Sequence, residues 1–215
     1  LGEGHIRGDW KELERIARTL SRPHRRRKPQ SPRLPSLILV TDPERTPDPL
    51  ALMLRLPRGA GMIYRAFGAP DQRQTAQALG RIARRRGVLL LIGADAVRVR
   101  GSGVHLPQRM AQRARALKAR GLVVTAAAHD LPAVLKARWA GADAVLISPI
   151  FPSHSPSAGR PLGAHRFAAL VRAGGLPAYA LGGITTATAR RLRGAGAAGL
   201  AGVEAFAAAL RPIRT

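Results

Sequence analysis

Residues 122–147 read Leu122-Val-Val-Thr125-Ala-Ala-Ala-His129-Asp130-Leu131-Pro-Ala-Val-Leu-Lys-Ala-Arg-Trp-Ala140-Gly-Ala-Asp143-Ala144-Val-Leu-Ile147. Two short apolar runs, 122–125 and 144–147, flank a helical stretch over 131–140. A continuous run, rather than an alternating one, is the pattern of a parallel strand buried on both faces. The segment is therefore one strand–helix–strand unit, and the same unit repeats on both sides of it. Further runs stand at Leu37–Val40, Met62–Tyr64, Val88–Ile92, Gly103–Leu106, Ala178–Leu181 and Gly199–Val203. Helical stretches fall at 71–86, 108–120, 165–173 and 185–194.

Eight runs in alternation with helices predict an α/β fold, a (β/α)8 TIM barrel. A doubly wound open sheet is the other architecture with this rhythm. It would carry a Gly-rich dinucleotide turn after its first strand, and none follows Val40. Only Gly93 to Ser102 separates the third run from the fourth, so the third helix is expected to be shortened. The chain divides into a basic N-terminal helix and linker arm over 1–35 and the barrel over 36–215. In the arm, Trp10, Leu13, Ile16, Ala17 and Leu20 recur at helical spacing behind Asp9, an N-cap residue type. Arg22-Pro-His-Arg-Arg-Arg-Lys-Pro29 then reads as a linker.

The composition bounds the chemistry. There is no cysteine, which removes disulfides, thiolate nucleophiles and cysteine-held zinc. No apolar run reaches the roughly 20 residues of a membrane span, and residues 1–22 lack the apolar core of a secretory signal. A cytoplasmic setting without membrane partners is expected, and the first residue, Leu1, leaves open whether more chain precedes it. The 36 Lys and Arg against 12 Asp and Glu give a formal net charge of +24. That field attracts phosphates. The arm has no interleaved aromatics or base-reading motif, so small phosphorylated molecules, rather than nucleic acid, are the expected partners. The oligomeric state is open, a homo-oligomer included.

Functional residues of such a barrel project from the C-terminal ends of the strands. The strongest signal there is Gly182-Gly183, leading through Ile184 into a helix. Two glycines at this point permit close backbone approach and expose N–H groups to an anion. Val203, at the end of the eighth strand, belongs to the same phosphate-binding group. Arg65, ending the second strand, is a cation placed to grip a phosphate. His129, ending the fifth, is a titratable group facing the mouth. The Ser- and Pro-rich segment 149–160 lies over the mouth as a substrate-binding loop or lid, with Ser153, His154, Ser155 and Arg160 as its polar groups. For Mg²⁺, which takes one or two carboxylates plus substrate phosphates, Asp95 and Asp42 are the best placed.

Taken together, Leu39-Val-Thr-Asp42, Ile63-Tyr-Arg65, Gly103-Val-His-Leu106, Ala128-His129-Asp130, Ala140-Gly-Ala-Asp143, Ser148-Pro-Ile-Phe-Pro152, Ala180-Leu-Gly-Gly-Ile184 and Gly196-Ala-Ala-Gly199 resemble the thiamine phosphate synthases and the related thiazole tautomerases, in family order across residues 37–210. The resemblance implies a transferase joining an aminopyrimidine methyl diphosphate to a thiazole phosphate with Mg²⁺-assisted release of diphosphate. Arg65 would hold the diphosphate, and Gly182 and Gly183 the thiazole phosphate. The departures cluster. Phe67 stands where the family has Lys, and Arg109 and Met110 where a metal-binding Asp is usual. Gly93-Ala94-Asp95 replaces Asn-Asp, the lid has no Lys, and Glu204 replaces a phosphate-binding Ser. The diphosphate and metal half is thus altered, while the phosphate turn and His129 remain, so a tautomerase-like isomerase using His129 and a non-catalytic thiazole or thiamine phosphate binder stand as alternatives. A nucleic-acid-associated basic protein ranks last.

Overall fold

In this computed structural model, Leu37–Val40 forms β1, with all four residues buried. The side chains divide between two environments, as strand geometry requires. Ile38 and Val40 point into the barrel with Ile63, Leu91, Leu146, Tyr179 and Ala201, while Leu37 and Leu39 face the helices. The structure describes residues 9–20, 34–93, 103–153 and 159–210.

The strands are β1, β2 (Gly61–Tyr64), β3 (Leu89–Gly93), β4 (Gly103–Leu106), β5 (Val124–Ala128), β6 (Ala144–Ile147), β7 (Ala178–Ala180) and β8 (Gly199–Gly202). They close in sequence order, every pair parallel, with β8 returning to β1 through Leu37↔Leu200 and Ile38↔Ala201. The barrel read from the alternating runs is the one found, and its sheet is closed rather than open. The expected shortened third helix, between β3 and β4, lies outside the described residues.

The helices are α1 (Asp9–Leu20), α2 (Pro49–Arg55), α3 (Gln72–Arg86), α4 (Ala114–Lys118), α5 (Leu131–Trp139), α6 (Gly163–Gly174), α7 (Thr186–Arg190) and α8 (Glu204–Ala209). The helix expected over 108–120 is split, since Gln108–Arg113 winds as a 3-10 helix before α4. The stretch read as 185–194 is helical only over α7.

Both α7 and α8 are short, and α1 packs against them and β8. Trp10, Leu13, Ile16, Ala17 and Leu20 are all buried there. The Trp10 ring meets Phe206 edge-on at 5.8 Å, and Glu12 accepts from Arg190 of α7 at 2.8 Å. At the N-terminal end of the barrel, Tyr179 is buried and donates its hydroxyl to the Pro35 carbonyl. Apolar filling and this bond occupy the lower barrel, which leaves the C-terminal end to carry the site.

Candidate active site

Asp42, just past β1, is the organising carboxylate of one side of the mouth. It accepts from Arg45 Nη2 at 2.8 Å and from the Arg45 backbone N–H at 3.3 Å. Arg65, just past β2, reaches the same Oδ2 at 3.3 Å. Arg65 is also held by the Thr41 carbonyl, which accepts from Nε at 2.9 Å, and its own N–H donates to Thr41 Oγ1 at 2.9 Å. The paired Arg45 guanidinium holds the Asp42 carboxyl below the usual carboxylate range, with the Arg65 charge adding to it. Phe67, where the family resemblance leads one to expect Lys, has a left-handed φ of 47°. Its ring stacks against Arg65, with Cζ 5.0 Å from the centroid.

The opposite side is made of backbone. Gly182 and Gly183 follow β7 with φ of 93° and 63°. A Cβ on Gly183 would stand 2.4 Å from the Pro152 carbonyl oxygen, and one on Gly182 would stand 3.0 Å from Pro149. The glycines are therefore required by the left-handed turn and by the neighbouring chain. That neighbour, Pro149–Pro152, is strapped to β7, because the Ile150 and Phe151 N–H groups donate to the carbonyls of Leu181 and Gly182. Ile150 and Phe151 are buried, so this part of the expected lid is packed framework. The Gly183 carbonyl accepts from Thr188 Oγ1 at 2.7 Å. Among the described residues, the N–H groups of Gly182, Gly183 and Ile184 donate to no other protein group, which leaves them to a ligand.

His129 follows β5 at the point where Asp130 turns the chain and caps α5, accepting from the Ala133 N–H at 2.8 Å. Its Nδ1 lies 2.6 Å from the Ser148 carbonyl oxygen. A carbonyl only accepts, so Nδ1 carries a proton, which leaves Nε2 as the ring nitrogen open to other partners. His105, inside the barrel on β4, pairs Nδ1 with Thr125 Oγ1 at 2.9 Å. Burial, with the Arg65 charge, lowers its pKa to about 4.

These groups meet in two adjoining cavities. One, of 290 Å³, is lined by Gly182, Gly183, Ile184, Thr188, Val203 and Glu204 among others. The second, of 160 Å³, is lined by Arg65, His129, Ser148 and Pro149 among others. Arg45, Ser153, Leu181, Gly182 and Val203 line both. Arg65, His129, Gly182, Gly183, Ile184, Val203 and Ser153 are thus brought together, whereas Arg160 is exposed and lines neither cavity. His154, Ser155 and Asp95 lie outside the described residues. Arg45 was missed by the sequence reading. Its signal was its place three residues after Asp42 in the turn beyond β1, where an acid and a base can pair.

Among the described residues, no three His, Asp or Glu side chains cluster so as to hold a metal ion. Asp42 is already engaged by two guanidiniums. Of the two carboxylates expected for Mg²⁺, Asp42 is thus taken up by guanidiniums and Asp95 lies outside the described residues. No helix among them is long and apolar enough to cross a membrane.

Fold and site together define a (β/α)8 barrel with a guanidinium-lined mouth over a glycine turn. Its sequence matches the family model described as thiamine monophosphate synthase over residues 37–206. The chain belongs to that family. It is 34% identical over 192 residues to the thiamine-phosphate synthase of Chlorobium luteolum, covering 85% of this chain and 90% of that one. It is 29% identical over 182 residues to a putative thiamine-phosphate synthase 2 of Aquifex aeolicus, covering 80% and 98%. The thiamine phosphate pyrophosphorylase of Pyrococcus furiosus shares the fold, with a TM-score of 0.64 at 22% identity over 83% of this chain and 93% of that one.

Proposed function

We propose that the chain is a thiamine-phosphate synthase, a transferase of thiamine biosynthesis acting on small phosphorylated substrates in the cytoplasm. In this reaction the bond between the pyrimidine methylene carbon and the diphosphate oxygen breaks, and diphosphate leaves with the electron pair. The thiazole ring nitrogen then bonds to that carbon.

The observation that carries this reading is the meeting of Arg45, Arg65, His129 and Gly182 on one cavity. Negative charge builds on the departing diphosphate in the transition state, and the fixed Arg65 guanidinium stabilises it without reorganising. Asp42 and the Thr41 carbonyl hold Arg65 in place before substrate arrives. The Gly182-Gly183 turn takes the thiazole phosphate through N–H groups, which sets the ring nitrogen toward the pyrimidine.

The reading is tested by mixing the protein with both substrates, with and without Mg²⁺, beside Arg65→Ala. Thiamine phosphate is expected from the wild type, with a loss of about 10²–10³ in rate for the variant. No product despite measurable thiazole phosphate binding would overturn the reading.

The geometry of His129 favours a second reading, a tautomerase-like isomerase. Nδ1–H is committed to Ser148, so Nε2 is free to move a proton on a bound thiazole phosphate. That activity needs no metal, so indifference to chelators would mark it.

A further inference from the structure

Among the described residues, Arg45 is the one guanidinium that lines both cavities of the mouth; Arg65 lines only the one shared with His129. Its side chain is 16% exposed, tied down by Asp42 through the 2.8 Å bond. A guanidinium has five N–H donors in a planar fork, and Asp42 engages Nη2. The remaining donors are available to an anion in the cavity, with the fork already oriented. Glu204, exposed at the start of α8, lines the same cavity. A carboxylate there opposes any phosphate on the glycine turn, and the field of Glu204 is felt at Arg45. A carboxylate lining the same cavity weakens a turn of N–H groups as an anion site, and a cation on that cavity supplies the opposing charge.

We propose that Arg45 is the cation that makes the glycine turn a phosphate site in this chain, binding the phosphate held by Gly182 and Gly183 and offsetting Glu204. The inference deepens the synthase reading by assigning a specificity-determining residue to its phosphate subsite. It requires only that the turn binds a phosphate monoester, whatever reaction follows. Asp42 is then a positioning residue, fixing Arg45 and Arg65 on one carboxylate so that one faces the turn and the other His129.

The test is a binding titration of the full chain with inorganic phosphate and, separately, with thiazole phosphate. It compares wild type, Arg45→Gln, Arg45→Lys, Glu204→Gln and Arg81→Gln, the last removing an exposed charge on α3. Thermal unfolding of each variant confirms that it is folded. Arg45→Gln is expected to weaken phosphate at least tenfold, Arg45→Lys to keep part of the affinity, and Glu204→Gln to tighten it about threefold. Arg81→Gln should change it less than twofold. Arg45→Gln binding within twofold of wild type overturns the proposal, as does a wild type that binds no phosphate or an Arg81→Gln loss equal to that of Arg45→Gln. Arg45-dependent binding of inorganic phosphate with no binding of thiazole phosphate would uphold the proposal while sinking the synthase reading.

Discussion

The two sides of the mouth are built from different material. Around β6 and β7 the site is backbone, a left-handed glycine pair pressed against Pro149 and Pro152. Around β1 and β2 it is side chain, with Arg45 and Arg65 gathered on Asp42 and Phe67 stacked beside them. A backbone site is locked by the packing that creates it. A side-chain site can exchange its members one at a time, provided the charge is restored nearby.

The backbone side is most sensitive at Gly183. Replacing it with Ala forces a Cβ against the Pro152 carbonyl at a φ of 63°. The expected cost is about 2–4 kcal/mol of stability, from overpacking together with left-handed strain. Chemical denaturation measures it, and phosphate binding should be lost as well. A neutral result would mean that the turn is looser than its packing implies.

A conservative change on the other side should do less. Arg65→Lys keeps the charge but loses both the fork shared between Thr41 and Asp42 and the stacking on Phe67. A fall of about tenfold in kcat/KM is expected, with little change in stability. Wild-type kcat/KM would show that Arg65 acts as a point charge only.

The smallest effect concerns His105, which lies below the side-chain half and is held neutral by burial and by the Arg65 charge. The unfolded chain binds a proton at about 6.5, and the folded one resists until about 4. The stability contributed is therefore full above that upper value and is lost as the pH falls toward the lower one, by about 1 kcal/mol once partial exposure is allowed for. An Arg65→Gln variant should raise the His105 titration midpoint seen by NMR, and an unmoved midpoint would place the two groups out of electrostatic contact.

Much of this was legible in the sequence. Continuous apolar runs marked the strands, and the position of Gly182-Gly183 after one of them marked the turn. β5 was read as 122–125 but runs Val124–Ala128, because alanine is weak evidence for a strand. Those alanines are extended by pairing with Val145, Leu146 and Ile147 of β6, a contact that no local pattern contains. The amphipathic stripe of α1 was visible, but its destination against the short α7 and α8 was not, since the surface left bare by a short helix is a property of the closed barrel. Arg45 was hidden among many arginines. What singles it out is the carboxylate it shares with Arg65, and that sharing exists only once β1 and β2 are side by side.

Whether the glycine turn holds the phosphate is tested by an amide NMR titration of the labelled chain with thiazole phosphate. The largest shifts are expected on the N–H signals of Gly182, Gly183 and Ile184, saturating together. Shifts confined to the arginine-rich outer surface, such as 81–86 of α3, with the glycine signals unmoved, would contradict it. The anion would then be following the +24 field of the whole protein rather than the backbone of the turn.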